Sequence, residues 1–228
     1  MMKKFIFLVI LLLSTSFIFT CDKANAIEND LQFWTPVYSE FPIKGKFFGY
    51  FEVQPRIGDN VSDFDQLIIR PAIGYKLNEH IKLYQGYAWA PRFRPRFRND
   101  NRIWQQVLFE NSFKKLKILN ALRLEERFIE NTGGPSLRTR YTLRFDYPLD
   151  KAEKWFVFLM NQLYLNFYTV SNGPERGIEQ NRITSGIRRK ITKHIDLETG
   201  YQYQHRFGGE RINGQIIHAL ITAVYLNF

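Results

Sequence analysis

Arginine supplies the most concentrated chemistry in this sequence. The tandem Pro91-Arg-Phe-Arg94 and Pro95-Arg-Phe-Arg98 is followed by Arg102, and with Asp100 included, residues 91–102 carry a net charge of +4. Planar guanidinium groups bind phosphate through paired hydrogen bonds, and interleaved phenylalanine rings can stack on bases. The segment is therefore predicted to be an anion-binding loop that uses Arg92, Arg94, Arg96, Arg98 and Arg102. A solvated loop with incidental charge is the alternative.

A second charged set falls on alternate positions, so an extended backbone places its members on one face. The set comprises Arg70, Arg102, Glu110, Arg123, Glu125, Arg127, Arg138, Arg140, Arg144, Asp146, Arg182, Arg188 and Glu198. Nine arginines against four carboxylates leave a basic excess, which favours anions as basic rings do in anion pores. Alternatively, the two kinds of side chain form a lattice that fills a closed interior.

Catalytic chemistry has weak support. Outer-membrane hydrolases and acyltransferases need a histidine near a serine and a carboxylate or asparagine that orients the ring, yet no serine neighbours any of the four histidines in sequence. The remaining catalytic alternative is His205 with Ser171 or Ser136, which the outer loops would have to bring close together in space. Neither metal-ligand spacing nor a glycine-rich phosphate loop occurs, so no catalytic residue, metal site or cofactor is predicted.

Residues 1–26 have the organisation of a cleavable signal peptide. Lys3 and Lys4 precede an apolar stretch over residues 5–19, and Ala24-Asn25-Ala26 offers a cleavage site. One alternative is a membrane-anchoring helix, but about 15 apolar residues are short for a membrane span. Another alternative is lipid attachment at Cys21. Cleavage after Ala26 leaves residues 27–228 without cysteine, which excludes thiol catalysis and disulfides.

Composition and export narrow the function classes further. The net charge of +10 falls to +8 without the signal peptide, and 16% aromatic residues with 45% hydrophobic residues contradict disorder. No second apolar run reaches the length of a membrane-spanning helix. Export removes nucleic acid as a partner for the arginines, so the predicted partner of the arginine loop is phosphorylated glycolipid. Residues 27–228 are expected to form one domain.

The mature sequence alternates between apolar and polar residues with period two, which predicts strands. In 137–147, Leu137, Tyr141 and Phe145 oppose Arg138 and Arg140. Ten strands are predicted, at Lys44–Gln54, 66–76, Ile81–Trp89, Arg102–Phe113, Leu116–Phe128, 137–147, Trp155–Tyr168, Gln180–Ile191, Ile195–Arg206 and Gln215–Phe228, with a weaker one at Phe33–Glu40. Long polar connections are predicted at Arg56–Asp63, Pro91–Asn101, Ile129–Pro135, Ser171–Gly177 and Phe207–Gly214.

Strands this long, joined alternately by short turns and long loops, favour an all-β, antiparallel, up-and-down transmembrane barrel of about ten strands over a soluble β-sandwich. Aromatic residues near strand ends suggest interfacial girdles at Trp34, Tyr87, Trp89, Trp104, Tyr147, Trp155 and Tyr225. Since bacterial barrels have even strand numbers, Phe33–Glu40 is a lead-in or a plug, unless a twelfth strand exists.

The C-terminus resembles the assembly signal of outer-membrane barrels. Phe228 is the last residue, and Leu226, Val224 and Leu220 share its face. The barrel-assembly machinery is therefore an expected partner. A last core strand that happens to end in phenylalanine would look similar.

Several motifs resemble the bacterial family named domain of unknown function 2490 (DUF2490). They are Trp34-Thr35, Asp65-Gln66-Leu67-Ile68-Ile69-Arg70-Pro71, Gly86-Tyr87-Ala88-Trp89-Ala90-Pro91, Arg102-Ile103-Trp104-Gln105-Gln106, Arg123-Leu124-Glu125-Glu126-Arg127-Phe128 and Gln180-Asn181-Arg182. The resemblance runs from Trp34 to the end of the chain. It implies a barrel-like outer-membrane protein and no established activity, so it supplies no catalytic residue.

The sequence thus predicts a non-catalytic outer-membrane barrel of a Gram-negative bacterium. It is either a narrow anion-favouring passage or a structural barrel that contacts glycolipid through the arginine loop. The lumen residues expected to matter are Arg70, Arg123, Glu125, Arg127, Arg138, Arg140, Arg144, Asp146, Arg182 and Glu198. A lipid-modifying enzyme and a soluble periplasmic binding module are the alternatives. The oligomeric state is left open.

Overall fold

A computed structural model describes residues 28–209 and 213–228 and contains twelve β-strands. The predicted signal peptide lies outside the described residues. Within those two ranges, no helix is long and apolar enough to cross a membrane. The strands are β1 Glu28–Trp34, β2 Val37–Lys44, β3 Phe47–Gly58, β4 Asp63–Lys76, β5 Ile81–Trp89, β6 Asp100–Phe113, β7 Leu116–Ile129, β8 Ser136–Pro148, β9 Trp155–Asn166, β10 Gly177–Lys190, β11 Ile195–Arg206 and β12 Gln215–Asn227.

Strands β3 to β12 form an antiparallel meander in which each strand pairs with its neighbours in sequence. The connections alternate between two ends of the barrel. One end, here the short-turn end, carries residues 45–46, 77–80, 114–115, 149–154 and 191–194. The other, the long-loop end, carries residues 59–62, 90–99, 130–135, 167–176, 207–209 and 213–214. All ten strands predicted from Lys44 onward are present, and the all-β barrel is confirmed.

The N-terminal segment closes the barrel. Strands β1 and β2 lie end to end between β3 and β12, parallel to β12 and antiparallel to β3. They keep one register, since Trp34 faces Ile221 and Val37 faces Val224. Pro36 separates them because it has no N–H for the ladder, although its carbonyl accepts a hydrogen bond from the Val224 amide at 2.9 Å. The wall therefore has eleven strand positions.

Two details differ from the sequence prediction. The segment Phe33–Glu40 is part of the wall, so its interpretation as a lead-in or plug is wrong. Parallel closure admits an odd number of positions, and it places Glu28 at the long-loop end, opposite the C-terminus. The predicted strand Lys44–Gln54 begins at Phe47 instead, because Gly45, with φ of +58°, makes a turn after β2.

The two faces of the wall differ in chemistry. On β8, Tyr141 and Tyr147 point outward and are exposed, while Arg138 and Arg144 point inward and are buried. The same alternation exposes apolar side chains around the barrel, among them Phe51, Ile73, Phe109, Leu122, Leu159, Ile187, Leu197 and Leu220. Water-soluble monomers rarely expose a continuous apolar surface of this extent. The barrel therefore has a core of charged and polar side chains in its interior.

Candidate functional site in the barrel lumen

A cavity of about 1570 Å³ occupies the interior and is lined from both ends. Glu79 and Lys82 line it at the short-turn end, and Asn172 and Gly209 at the long-loop end. Its lining contains sixteen lysine and arginine side chains against twelve aspartate and glutamate side chains, which leaves a basic surplus. The structure places all ten charged residues predicted for the lumen on this lining.

Three carboxylates near the long-loop end neutralise the arginines of β6, β7 and β8. Asp100 accepts hydrogen bonds from Arg102 at 2.6 Å and Arg127 at 2.7 Å. Arg138 donates to Glu125, and it donates to Glu179 at 2.6 Å. We call Asp100, Arg102, Glu125, Arg127, Arg138 and Glu179 the ion-pair lattice. Its members are buried except Glu179, whose side chain is 19% exposed, so the charges depend on their partners more than on water.

A second ion-pair group lies near the short-turn end. Arg144 donates to Asp146 at 2.8 Å and to Glu198 at 2.6 Å, and Arg188 approaches Asp146 to 3.2 Å. The Tyr225 hydroxyl also donates to Glu198, at 3.2 Å. Between the two ends, Arg70 pairs with Glu52 at 2.5 Å, so most predicted lumen arginines have carboxylate partners. The lattice interpretation therefore describes these parts of the lumen.

Arg56, Arg140 and Arg182 have a different environment. Among the described residues, no carboxylate lies within 4.0 Å of any of the three guanidinium groups, and aromatic rings take that place. Arg56 and Arg182 lie 3.7 Å and 5.1 Å from the centroid of the Trp34 ring. We call Trp34, Arg56, Arg140, Tyr164 and Arg182 the arginine–aromatic cluster.

The same cluster continues on Tyr164. Arg182 and Arg140 lie 4.8 Å and 5.8 Å from the centroid of that ring. An arginine over an aromatic face gains cation–π attraction, but the ring does not neutralise its charge. Three positive charges therefore share this part of the lumen without a carboxylate ion pair.

Strand register explains why the cluster lacks carboxylates. Arg182 faces Gln162 on β9 and Gln204 on β11. Arg56 faces Gln66 on β4 and Trp34 on β1. Neutral amides can accept hydrogen bonds, as Gln66 does from Arg56 at 3.0 Å, but they leave the charge uncompensated.

Buried donors in the cluster also lack partners. The Nε atoms of Arg56, Arg140 and Arg182 are buried without a hydrogen-bond partner in the described part of the chain, as is the Nε2 atom of the nearby Gln202. Arg56 and Arg182 are 7% and 8% exposed. Buried polar groups are normally satisfied, and an unpaired buried charge is costly. This region is therefore suited to receive a ligand that accepts hydrogen bonds.

An aromatic group packs on the β3–β6 side of the wall. Phe48, Tyr84 and Trp104 pack there, and Arg123 lies 4.0 Å from the centroid of the Trp104 ring. A Cβ atom at Gly86 would lie 2.5 Å from the Trp104 ring, and one at Gly74 would lie 2.0 Å from Phe48. The two glycines therefore make room for these rings.

The predicted aromatic girdle is only partly present. Trp34 and Trp104 are buried in the lumen, and Tyr225 faces inward, so their assignment to an outer girdle is wrong. The position of these residues near strand ends had suggested a girdle, but the alternation of side chains along a strand decides whether a residue faces the lumen or the outside. Tyr87, Tyr147 and Trp155 do lie exposed on the outside, and Trp89 is half-buried.

The five loop arginines do not share one surface. Arg92 and Arg98 pair across the base of the 90–99 hairpin and line the cavity. Arg94 forms ion pairs with Asp59 and Asp63. Arg102 lies inside the barrel in the ion-pair lattice, and Arg96 is exposed at the hairpin tip.

The C-terminal strand shows the predicted apolar face. Leu220 is exposed on the outside, and Val224 and Leu226 share its parity. Phe228 donates its amide to the Glu40 carbonyl at 3.1 Å, and its ring stacks on His194 with centroids 5.7 Å apart. The assembly role of these residues remains a prediction.

No catalytic constellation emerges around His205. Its ring packs against Phe207 at a centroid distance of 4.3 Å, and among the described residues no hydrogen bond joins it to Ser136 or Ser171. In those ranges, no group of three or more histidine, cysteine, aspartate or glutamate residues is placed to hold a metal ion.

Two cluster residues escaped the sequence prediction. Arg56 was assigned to a loop, although the alternation of Glu52, Gln54 and Arg56 would have carried β3 through it. Trp34 was assigned to the outer girdle. A pattern of charged positions found Arg140 and Arg182, but it could not find the rings beside them.

Comparison with known proteins gives a family and a relative. The family model described as "Protein of unknown function (DUF2490)" matches residues 31–214. An uncharacterized protein from Methylorubrum extorquens is similar to the chain, with 31% identity over 205 residues. That alignment covers 86% of this chain and 87% of the relative. Neither description names a ligand or an activity.

Proposed function

The chain belongs to the DUF2490 family, a family of proteins of unknown function, and from its geometry we propose that it forms a narrow, anion-favouring passage in the outer membrane. The observation that carries the proposal is the cavity, which is lined from both ends and has a basic surplus. We propose no catalytic role. Only ions and small acidic solutes fit a lumen already occupied by so many side chains.

Three features support the membrane setting. The outer surface is apolar around the barrel, whereas the charged residues of the wall are concentrated inside. Most strands have 12 to 14 residues, and about 9–11 suffice for a tilted strand to cross the hydrocarbon layer. Tyr87, Tyr147 and Trp155 are placed outside, where an interfacial girdle would lie. A soluble periplasmic binding module would not expose this surface.

Cell fractionation tests the localisation of this proposal. The protein should be found in the outer membrane, require detergent for extraction and migrate differently on gels before and after heating. The N-terminal signal peptide should be absent from the mature protein. A pool that is soluble without detergent would contradict the outer-membrane assignment.

Planar-bilayer recordings test the passage. The purified barrel should show discrete conductance steps, and reversal potentials in a KCl gradient should reveal anion preference. Arg140→Glu should reduce that preference because it replaces a positive charge of the lumen with a negative one. Arg189→Glu is the matched control, since Arg189 is exposed on the outside, 4.7 Å from the Trp155 ring. Silent bilayers would contradict the passage.

A structural role in contact with glycolipid is the second candidate. Arg96 and Phe97 lie side by side and exposed at the hairpin tip, where they could meet phosphate groups and acyl chains. Arg96→Gln should then reduce binding to vesicles that contain phosphorylated glycolipid, relative to vesicles without it. Equal binding to both vesicle types by the unaltered protein would remove this candidate.

A further inference from the structure

The arginine–aromatic cluster differs from the remainder of the lumen because its arginines form no ion pair with a described carboxylate. Arg56, Arg140 and Arg182 come from β3, β8 and β10, so their guanidinium groups reach one region from different parts of the wall. The Trp34 and Tyr164 faces hold them through short ring contacts. Because no carboxylate of the described residues lies within 4.0 Å of them, their charge is available to a solute.

The form of these donors selects an oxyanion. Among the unpartnered buried atoms of this region, the three arginine Nε atoms and Gln202 Nε2 are donors, and Gln204 Oε1, across from Arg182, is the acceptor. Guanidinium forks match phosphate and carboxylate oxygens with two parallel hydrogen bonds. A ligand with several acceptor oxygens could accept hydrogen bonds from these donors, and more than one negative charge on it would compensate the positive charge of the arginines.

A niche beside the cluster extends the positive field towards the long-loop end. Arg56, Arg92, Arg182 and Arg206 line a space of about 70 Å³ there. Asp30 and Asp65 line it too, so the niche is not purely basic. Asp30, however, already accepts hydrogen bonds from Gln32 at 2.6 Å and from the Asn60 amide at 2.9 Å.

We infer that the arginine–aromatic cluster is a discrete binding site for a phosphate-type dianion, either inorganic phosphate or a small phosphate monoester. A tetrahedral group presents oxygens in several directions, which suits donors arriving from three strands, whereas a monocarboxylate presents two oxygens in one plane. The inference rests on the proposed passage only in requiring that solutes enter the lumen.

Calorimetric titration of the detergent-solubilised, full-length mature barrel with inorganic phosphate tests the site. We expect saturable binding, and each of Arg56→Gln and Arg182→Gln should weaken it by about tenfold or more, the equivalent of one charge-assisted hydrogen bond. Arg189→Gln, the exposed arginine of the same strand, should bind like the unaltered protein. Absence of binding heat, or equal weakening by Arg189→Gln, would overturn the site.

Tryptophan fluorescence locates the binding. Phosphate should change the emission of Trp34 because Arg56 and Arg182 contact its ring, and Trp34→Phe should remove that change while phosphate still binds. Persistence of the whole change in Trp34→Phe would overturn the location. Arg182→Lys is the control for a folding defect, since it keeps the positive charge but lacks the forked guanidinium group. It should fold and bind between the unaltered protein and Arg182→Gln.

Other ligands and bilayer currents separate the remaining outcomes. Glycerol phosphate that binds more tightly than inorganic phosphate would assign the site to monoesters, and the reverse to the free ion. Acetate that binds as tightly as phosphate would overturn the preference for a dianion. Chloride currents without phosphate binding would overturn the site and leave the passage. Phosphate binding without currents would overturn the passage and leave the site.

Discussion

The ion-pair lattice and the arginine–aromatic cluster both contain arginines, and they lie on neighbouring parts of one barrel wall. In the lattice, Arg138 faces Glu125 across the β7–β8 pair, and the two form an ion pair. In the cluster, Arg182 faces only glutamines. Burial is similar at the two arginines, with 3% exposure for Arg138 and 8% for Arg182. The difference is therefore the cross-strand neighbour rather than access to water.

This difference separates two roles for arginine in a barrel. An arginine paired with a buried carboxylate holds two strands together and presents little net charge, because its partner cancels it. An arginine held on an aromatic ring keeps its charge available. The lattice is expected to control stability, and the cluster is expected to control which solutes enter.

Breaking the lattice should have the largest effect. Glu125→Gln would leave Arg138 without one of its carboxylates and Arg123 without the carboxylate 3.8 Å away. Loss of one partner of a buried ion pair costs about 3–5 kcal/mol. Denaturant unfolding of the detergent-folded protein measures this loss. Glu126→Gln, one position away but exposed outside, is the control and should change stability little. Equal stability of both variants would contradict the lattice's role.

Converting the cluster into a lattice should have the next largest effect. Gln204→Glu places a carboxylate directly across from Arg182, and it removes the amide that donates to Gln180 at 2.9 Å. The new carboxylate would compete with solute anions, so anion preference should fall and phosphate affinity should drop by about tenfold. Reversal potentials and calorimetry measure the two effects. Unchanged values in both would show that the charge of Arg182 does not reach the solute.

Removing a cluster arginine should affect stability little. Arg182→Gln deletes an uncompensated buried charge and orphans no carboxylate, so the free energy of unfolding should change by no more than about 2 kcal/mol, the size of a desolvated contact between an arginine and aromatic rings. Arg138→Gln is the contrasting variant because it leaves Glu125 and Glu179 short of a partner, with a cost of about 3–5 kcal/mol. Similar losses for the two arginines would contradict the distinction between lattice and cluster.

Salt should produce the smallest effect. Anion preference that arises from the unpaired lumen charges should weaken as ionic strength rises, since the screening length falls from about 10 Å at 0.1 M to about 3 Å at 1 M. Reversal potentials at a constant concentration ratio, recorded at low and high salt, measure the change. The stability provided by the lattice should respond less, because buried pairs are screened less. An anion preference independent of salt would point to a steric origin.

Much of the fold could be predicted from local patterns. Alternation along 137–147 placed Arg138 and Arg144 on the opposite face from Tyr141, and the structure has them so. The closure of the barrel could not be predicted in this way, because β1 and β2 pair in parallel with β12 at the far end of the chain. Nothing local to Phe33–Glu40 distinguishes a wall strand from a lead-in.

The candidate site was predictable only in part. Charge and parity identified ten lumen residues that line the cavity, including Arg140 and Arg182. They could not say which arginines would be neutralised, because that depends on the strand next to each one. They also assigned Arg92 to an outer loop and Arg70 to the lumen, because Arg92 lies in a loop and Arg70 in a strand. In the structure both residues line the same cavity.

The sequence by itself determined the two faces of the wall, because the side-chain period of a strand is two wherever the strand pairs. It also determined the excess of lysine and arginine over carboxylate in residues 27–228. Only the tertiary structure decided that Arg138 meets Glu125 while Arg182 meets Gln162 and Gln204. The physical reason is register: the partner across a strand pair is set by how two distant segments align. That alignment separates neutralised charges from available ones.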